Sequence, residues 1–138
     1  MLNRRQFLSS TAALGVGAIM TPTAIAEQQT DKRPLIISTW KFGQAANEKA
    51  LATVLAGGST LDAVEQGIRV TEDSDNSSVG LSGKPSAAGI AQLDACIMHG
   101  PGHQAGAVAA IEGVKHPISA ARRVMEKTPH VMLAGDGA

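Results

Sequence analysis

Leu35-Ile36-Ile37 is an aliphatic run with no polar residue inside it, set between Pro34 and the pair Ser38-Thr39. A short stretch of that kind reads as a β-strand buried on both faces, and such a strand demands a layer of structure above and below it. The chain is thereby directed toward an α/β architecture. The run leads into Trp40, the one tryptophan in the sequence, and a Phe42-Gly43 turn and a helical pattern follow at once. Two roles are open to a large amphipathic ring in that place. It can cap the sheet as a core aromatic whose indole N–H needs one partner, or it can form a wall of a ligand site at the mouth of the strand.

The helical patterns come as a pair. Residues Asn47 to Ala56 carry Ala50, Leu51, Val54 and Leu55 on one face, and Gly57-Gly58 ends the run as a C-cap. Ser59 or Thr60 then caps a second helix with Leu61, Val64 and Ile68 as its apolar stripe and Asp62 in the first turn, where the helix dipole favours a carboxylate. Two helices joined by so short a turn pack side by side in one layer. The stretch from Asp73 to Ser78 is a solvated loop of turn formers. Its two aspartates lack the glycine and distal Glu of a calcium loop, so no metal is expected there. Val79 to Pro85 imitates a phosphate-binding loop but has the wrong glycine spacing and a Pro where Ser or Thr is needed.

Gln92 to Met98 alternates as a strand, with Leu93, Ala95 and Ile97 on one side and Asp94, Cys96 and Met98 on the other. A carboxylate on that strand must be satisfied by backbone N–H groups or shifted toward its neutral form. After Gly100-Pro101-Gly102, Gln104 to Val114 reads as the partner strand of a hairpin. His99 and His103 flank the turn, but the Pro-Gly between them forbids the helix on which that spacing would align two metal ligands. Pro117 opens a third helix with Ile118, Ala121 and Met125 as its stripe and Arg122 and Arg123 on its polar side. Pro129 ends it, and Val131 to Ala134 forms a last strand. Residue chemistry by itself gives no nucleophile: there is no GxSxG elbow, Cys96 lies mid-strand, and Ser78 has no evident partner.

Residues 1–26 stand apart from this pattern. Arg4 and Arg5 precede an apolar, Gly- and Ala-rich run from Phe7 to Met20, and Ala24-Ile25-Ala26 forms a cleavage site before Glu27. The order Asn3-Arg4-Arg5-Gln6-Phe7-Leu8 resembles a twin-arginine signal, which implies export of a folded bacterial protein to the periplasm. The domain proper then covers 27–138. Losing Arg4 and Arg5 leaves ten basic against twelve acidic residues, a net charge of about −2 that attracts neither nucleic acid nor an anionic membrane. Phe7 is lost as well, so Trp40 and Phe42 are the aromatics that remain and the core must be aliphatic. The single Cys96 cannot form an internal disulfide.

Several blocks, STWKFG at 38–43, GGSTLDAVEQG at 57–67, SVG at 78–80, LDACIM at 93–98 and HPISAARRVMEKTPHVMLAGDGA at 116–138, together closely resemble the N-terminal part of the glycosylasparaginase family of N-terminal nucleophile hydrolases. Leu81-Ser82 departs from it where the family tends to have an aromatic and Gly. The resemblance implies a four-layer αββα sandwich, made as one precursor that cuts itself into two subunits and exposes a threonine as nucleophile. That threonine would attack the side-chain amide of a glycosylated asparagine, releasing the sugar amine and then aspartate, with no metal or organic cofactor.

By the same resemblance Trp40 lines the substrate pocket, Ser78 lies beside the nucleophile, and Asp94 belongs to the supporting network. The nucleophilic threonine and its His-Asp-Thr cleavage site are expected beyond Ala138, in a β subunit that completes the enzyme. Residues 1–138 are therefore expected to be inactive alone, and complete αβ units are expected to associate further. The alternatives are a plant-type asparaginase or isoaspartyl peptidase, and a non-catalytic subunit or binding module.

Overall fold

The structure, a computed structural model, describes residues 33–138. The export signal expected at 1–26 and the terminus expected at Glu27 lie outside the described residues. Helix α1 spans Gly43–Leu55 and α2 spans Thr60–Glu72, and they pack against each other. Strands β1 (Leu93–His99) and β2 (Gln104–Ile111) form the hairpin, α3 spans Pro117–Lys127, and β3 (Met132–Ala134) completes a sheet of order β1-β2-β3. The hairpin is antiparallel, whereas β3 runs parallel to β2 after crossing over through α3.

The two helix junctions follow from local chemistry. Gly57 takes a φ of +89°, its N–H bonds to the Val54 carbonyl, and the N–H of Gly58 bonds to Thr53. This is the paired bonding that ends a helix on a left-handed residue. Ser59 then starts α2 with a reciprocal cap: its hydroxyl accepts from the Asp62 N–H while the Asp62 carboxylate accepts from the Ser59 N–H. The helices meet through small residues. A Cβ on Gly67 would lie 2.7 Å from the Ala46 carbonyl oxygen and 3.2 Å from Ala50 Cβ.

α1 starts at Gly43 rather than Asn47, and its buried face is Gly43, Ala46 and Ala50. The larger residues expected on that face, Leu51 and Leu55, are exposed, because the close approach of α2 admits only small side chains there.

The core lies between the sheet and α3. Ile97, Val108 and Ile111 face Ile118, Ala121, Val124 and Met125, and Leu61 and Ile68 of α2 close its side. It is aliphatic throughout, as the scarcity of aromatics requires. Ile118 is fully buried, and a side chain of that size contributes about 1.5–3 kcal/mol on burial. The alternation expected in β1 holds, with Ile97 inward and Cys96 and Met98 outward.

The strand expected at 35–37 is not formed. Residues 33–38 have no regular secondary structure, and Leu35 and Ile37 are exposed. A strand needs a backbone ladder, and neither edge of the sheet pairs with this segment. It runs instead alongside α1 and α2, where Pro34 to Ser38 border an apolar groove of about 430 Å³ with Ala50, Val54 and Val64. Helices and sheet together make an α/β chain in which α3 packs on the sheet, α2 closes the side of the core and α1 packs on α2.

Candidate functional site

Trp40 sits at the head of a tight turn. The Gly43 N–H donates to the Trp40 carbonyl at 2.9 Å, the Gln44 N–H to Lys41 at 3.2 Å, and α1 begins there without a side-chain cap. The Trp40 side chain is 68% exposed, so it is not a core aromatic in this structure. Ser38, just ahead of the turn, lies over the first turn of α1. Its hydroxyl donates to Asn47 Oδ1 at 2.5 Å and lies 3.5 Å from the Gly43 carbonyl oxygen.

Ser78 lies in the loop after α2, where its backbone N–H donates to Asn76 Oδ1 at 2.9 Å. The loop is a chain of such local bonds: Ser74 Oγ donates to the Thr71 carbonyl, and the Asn76 N–H donates to Ser74 Oγ. Asp94, on the outward face of β1, accepts the Ala110 N–H at 2.7 Å. This is the backbone-satisfied role open to it from the sequence, and it has a specific cause. Between the pairs Leu93↔Ile111 and Ala95↔Val108, Asp94 faces both Ala109 and Ala110, so β2 bulges and Ala110 takes a φ of +50°. The carboxylate receives the N–H that the bulge removes from the ladder.

Trp40, Ser78 and Asp94 thus stand on three separate elements, and none of them lines the apolar groove or the smaller cavity of about 290 Å³ beside Glu112 and Asp136. Among the described residues no group of three or more His, Cys, Asp or Glu side chains could hold a metal ion.

Asp62 and Arg122, expected at a helix start and on a polar helix face, join Glu65, Ser119 and Glu126, which the sequence pattern did not mark, in a seam between α2 and α3. Arg122 is largely buried rather than free on a polar face: Nη1 reaches Asp62 and Glu65 and Nε reaches Glu126, each at 2.7 Å. Ser119 donates to the other oxygen of Glu65. Hydrogen bonding by Ser59 first, and by Arg122 second, holds the Asp62 carboxyl down to about 2. Burial pushes Glu65 up, but Ser119 and Arg122 together outweigh it and leave its pKa lowered. Glu126 and then Asp62 raise the Arg122 guanidinium above its ordinary value.

Below this cluster lies Glu72, 2% exposed, with one oxygen on the Ile118 N–H at 2.9 Å and the other 3.1 Å from His116 Nδ1. Its burial has a signal in the sequence, since four residues beyond Ile68 on the apolar stripe falls at Glu72. All these carboxylates are occupied by partners within the chain, so the seam joins helices rather than offering groups to a substrate.

The sequence blocks around this fold place it in a known family: the chain belongs to the asparaginase family, whose profile, described as Asparaginase, matches residues 17–138. It is 46% identical to the N(4)-(Beta-N-acetylglucosaminyl)-L-asparaginase of Elizabethkingia miricola over 99% of this chain and 42% of that protein. It is 41% identical to the plant-type L-asparaginase of Pyrococcus abyssi over 90% of this chain and 37% of that protein. Identity to the isoaspartyl peptidase of Salmonella typhimurium is 36%, over 90% of this chain and 37% of that protein. The chain therefore spans less than half the length of these relatives. The resemblance carried by the sequence blocks holds at the level of the family.

Proposed function

We propose that this chain supplies the Trp40-bearing wall of an amidohydrolase that cleaves the side-chain amide of glycosylated asparagine, releasing the sugar amine and aspartate. The observation that carries this reading is the exposed Trp40, held at a helix start inside the STWKFG block rather than buried in the core. A rigid ring in that position can stack on a substrate and exclude water from the scissile bond. The similarity to a protein named for the glycosylated substrate over nearly the whole chain supports it.

The nucleophile in this reading is a threonine freed by self-cleavage, with its own α-amino group as base. It belongs to the β subunit, and residues 1–138 alone hydrolyse nothing. Ser78 and Asp94 act as supporting residues near that threonine. The outward face of the sheet, where Met98 and Met132 are exposed, is the surface on which a second sheet would complete a four-layer sandwich. The mature protein is periplasmic, and complete αβ units associate with one another.

A second reading, hydrolysis of free asparagine or of isoaspartyl dipeptides, draws support from the plant-type asparaginase and isoaspartyl peptidase relatives. The test is an assay of the full-length protein on all three amides, with Trp40→Ala beside the parent. Glycosylasparagine as the best substrate, with kcat/KM per folded molecule falling in Trp40→Ala, is the expected result. A preference for isoaspartyl dipeptide would overturn the first reading in favour of the second, and unchanged kinetics in Trp40→Ala would remove that residue from the pocket.

A further inference from the structure

We infer that Ser38, Gly43 and Asn47 form a clamp that fixes the direction of Trp40, which makes Ser38 and Asn47 positioning residues; the functional half rests on the proposed role of Trp40, and the structural half on geometry alone.

A side chain that is 68% exposed is not oriented by burial. Its direction has to come from the backbone that carries it. That backbone is the segment Thr39 to Phe42, and both of its ends are tied to one spot. At the far end Gly43 is buried at the start of α1, and Ser38 comes back over it so closely that a Cβ at 43 would lie 2.4 Å from Ser38 Cβ and 2.7 Å from Oγ. No real side chain tolerates those separations, so the closure requires glycine. Asn47 stands one helical turn beyond Gly43 on the same face, and its Oδ1 accepts the Ser38 hydroxyl. Between the ends, the Gly43 N–H holds the Trp40 carbonyl.

The helix start shows why the clamp is needed. Phe42 occupies the capping position and has no side-chain oxygen to receive the orphan N–H groups of the first turn. The first turn is therefore held by the two turn bonds and by Ser38 bearing on Gly43 and Asn47. Pinning the base of a loop limits the conformations open to its tip, and the tip here is Trp40. If the tie is cut, the ring remains exposed but its direction is no longer fixed.

Trp40 is the sole tryptophan of the chain, so its fluorescence anisotropy reports this loop without interference. In residues 1–138, Asn47→Ala and Ser38→Ala should each raise the amplitude of the nanosecond component of the anisotropy decay by about twofold. Asn47→Asp keeps an oxygen for the Ser38 hydroxyl and should match the parent. Ser38→Ala lies outside the helix, so it tests the clamp even if Asn47→Ala disturbs α1, and helix content by circular dichroism identifies that case. Parent-like decay in Ser38→Ala, or Asn47→Asp as loose as Asn47→Ala, overturns the clamp.

In the full-length protein Asn47→Ala should raise KM by about three- to tenfold with Asn47→Asp unaffected. A raised KM in Trp40→Ala with an unaltered KM in Asn47→Ala overturns the positioning role. An unaltered KM in Trp40→Ala removes the substrate role of the ring, and with it the functional half, while the anisotropy still decides the structural half.

Discussion

Glu72, the last residue of α2, accepts the backbone N–H of Ile118 at 2.9 Å and so caps α3 from a different helix. Pro117 holds the first helical position and has no N–H, and His116 gives no side-chain cap, so Ile118 is the first donor in need of a partner. Glu72→Ala removes the acceptor and leaves that N–H without a mate, while the His116 ring keeps only Asp73, 3.6 Å from its Nε2. A loss of about 1–3 kcal/mol is expected from such an unsatisfied group. Glu72→Gln retains an oxygen for Ile118 and should lose less. Urea unfolding of the two variants checks the order, and equal losses would show that the charge rather than the cap matters.

Arg122 makes the seam acid-sensitive in a defined direction. Asp62, held down to about 2, and Glu65, also lowered, have folded pKa values below their unfolded ones. Such groups add stability above the unfolded value near 4 and lose it as pH falls through the folded value. Melting temperature should therefore decline between about pH 4 and pH 2. Arg122→Ala lets both carboxyls protonate at higher pH, so its decline should begin earlier, and its deficit against the parent should narrow toward pH 2. A deficit that stays constant down to pH 2 would contradict this account.

Gly106 marks the closest approach of α3 to the sheet. A Cβ there would lie 2.2 Å from the Ala121 carbonyl oxygen and 2.5 Å from the Met125 nitrogen, both backbone atoms that cannot rotate away. Gly106→Ala should force α3 outward and cost about 1–3 kcal/mol, the range for overpacked cores. A thermal melt within a degree of the parent would mean that α3 shifts more freely than its buried contacts imply.

The proposed export route has its own test. Replacing Arg4 and Arg5 with Lys should retain the protein in the cytoplasm, whereas the parent should reach the periplasm beginning at Glu27. Periplasmic protein with an intact Met1 would count against the signal.

What the sequence made legible was local. The Leu93-Ala95-Ile97 alternation, a cap at Ser59 or Thr60, the Gly57 stop and the Ile118-Ala121-Met125 stripe depend on residues a few positions apart, and the structure contains each of them, with Ser59 as the cap. The reading of Leu35 to Ile37 as a strand depended on a partner that no local pattern specifies. The face of α1 was misjudged for a related reason: whether Leu51 or Ala46 turns inward is set by how near α2 comes, which Gly67 decides from another helix. Arg122 reads as a polar-face side chain because two of its three partners, Asp62 and Glu65, lie in α2. Of the candidate site residues, Asp94 acquired a concrete partner only once the bulge at Ala110 was visible, since a bulge is a property of two strands in register.

The polar seam also bears on the order in which the chain assembles. Apart from the Arg122–Glu126 bond within α3, its bonds join residues 44 to 60 positions apart, whereas the hairpin and the α1–α2 pair bring together neighbours in sequence. Closing longer loops costs more entropy before any contact repays it, so the hairpin and the helix pair are expected to be in place at the folding barrier and the seam to close after it. Stopped-flow traces of Arg122→Ala should then show faster unfolding with a refolding rate close to that of the parent. Slowed refolding would place the seam in the nucleus instead.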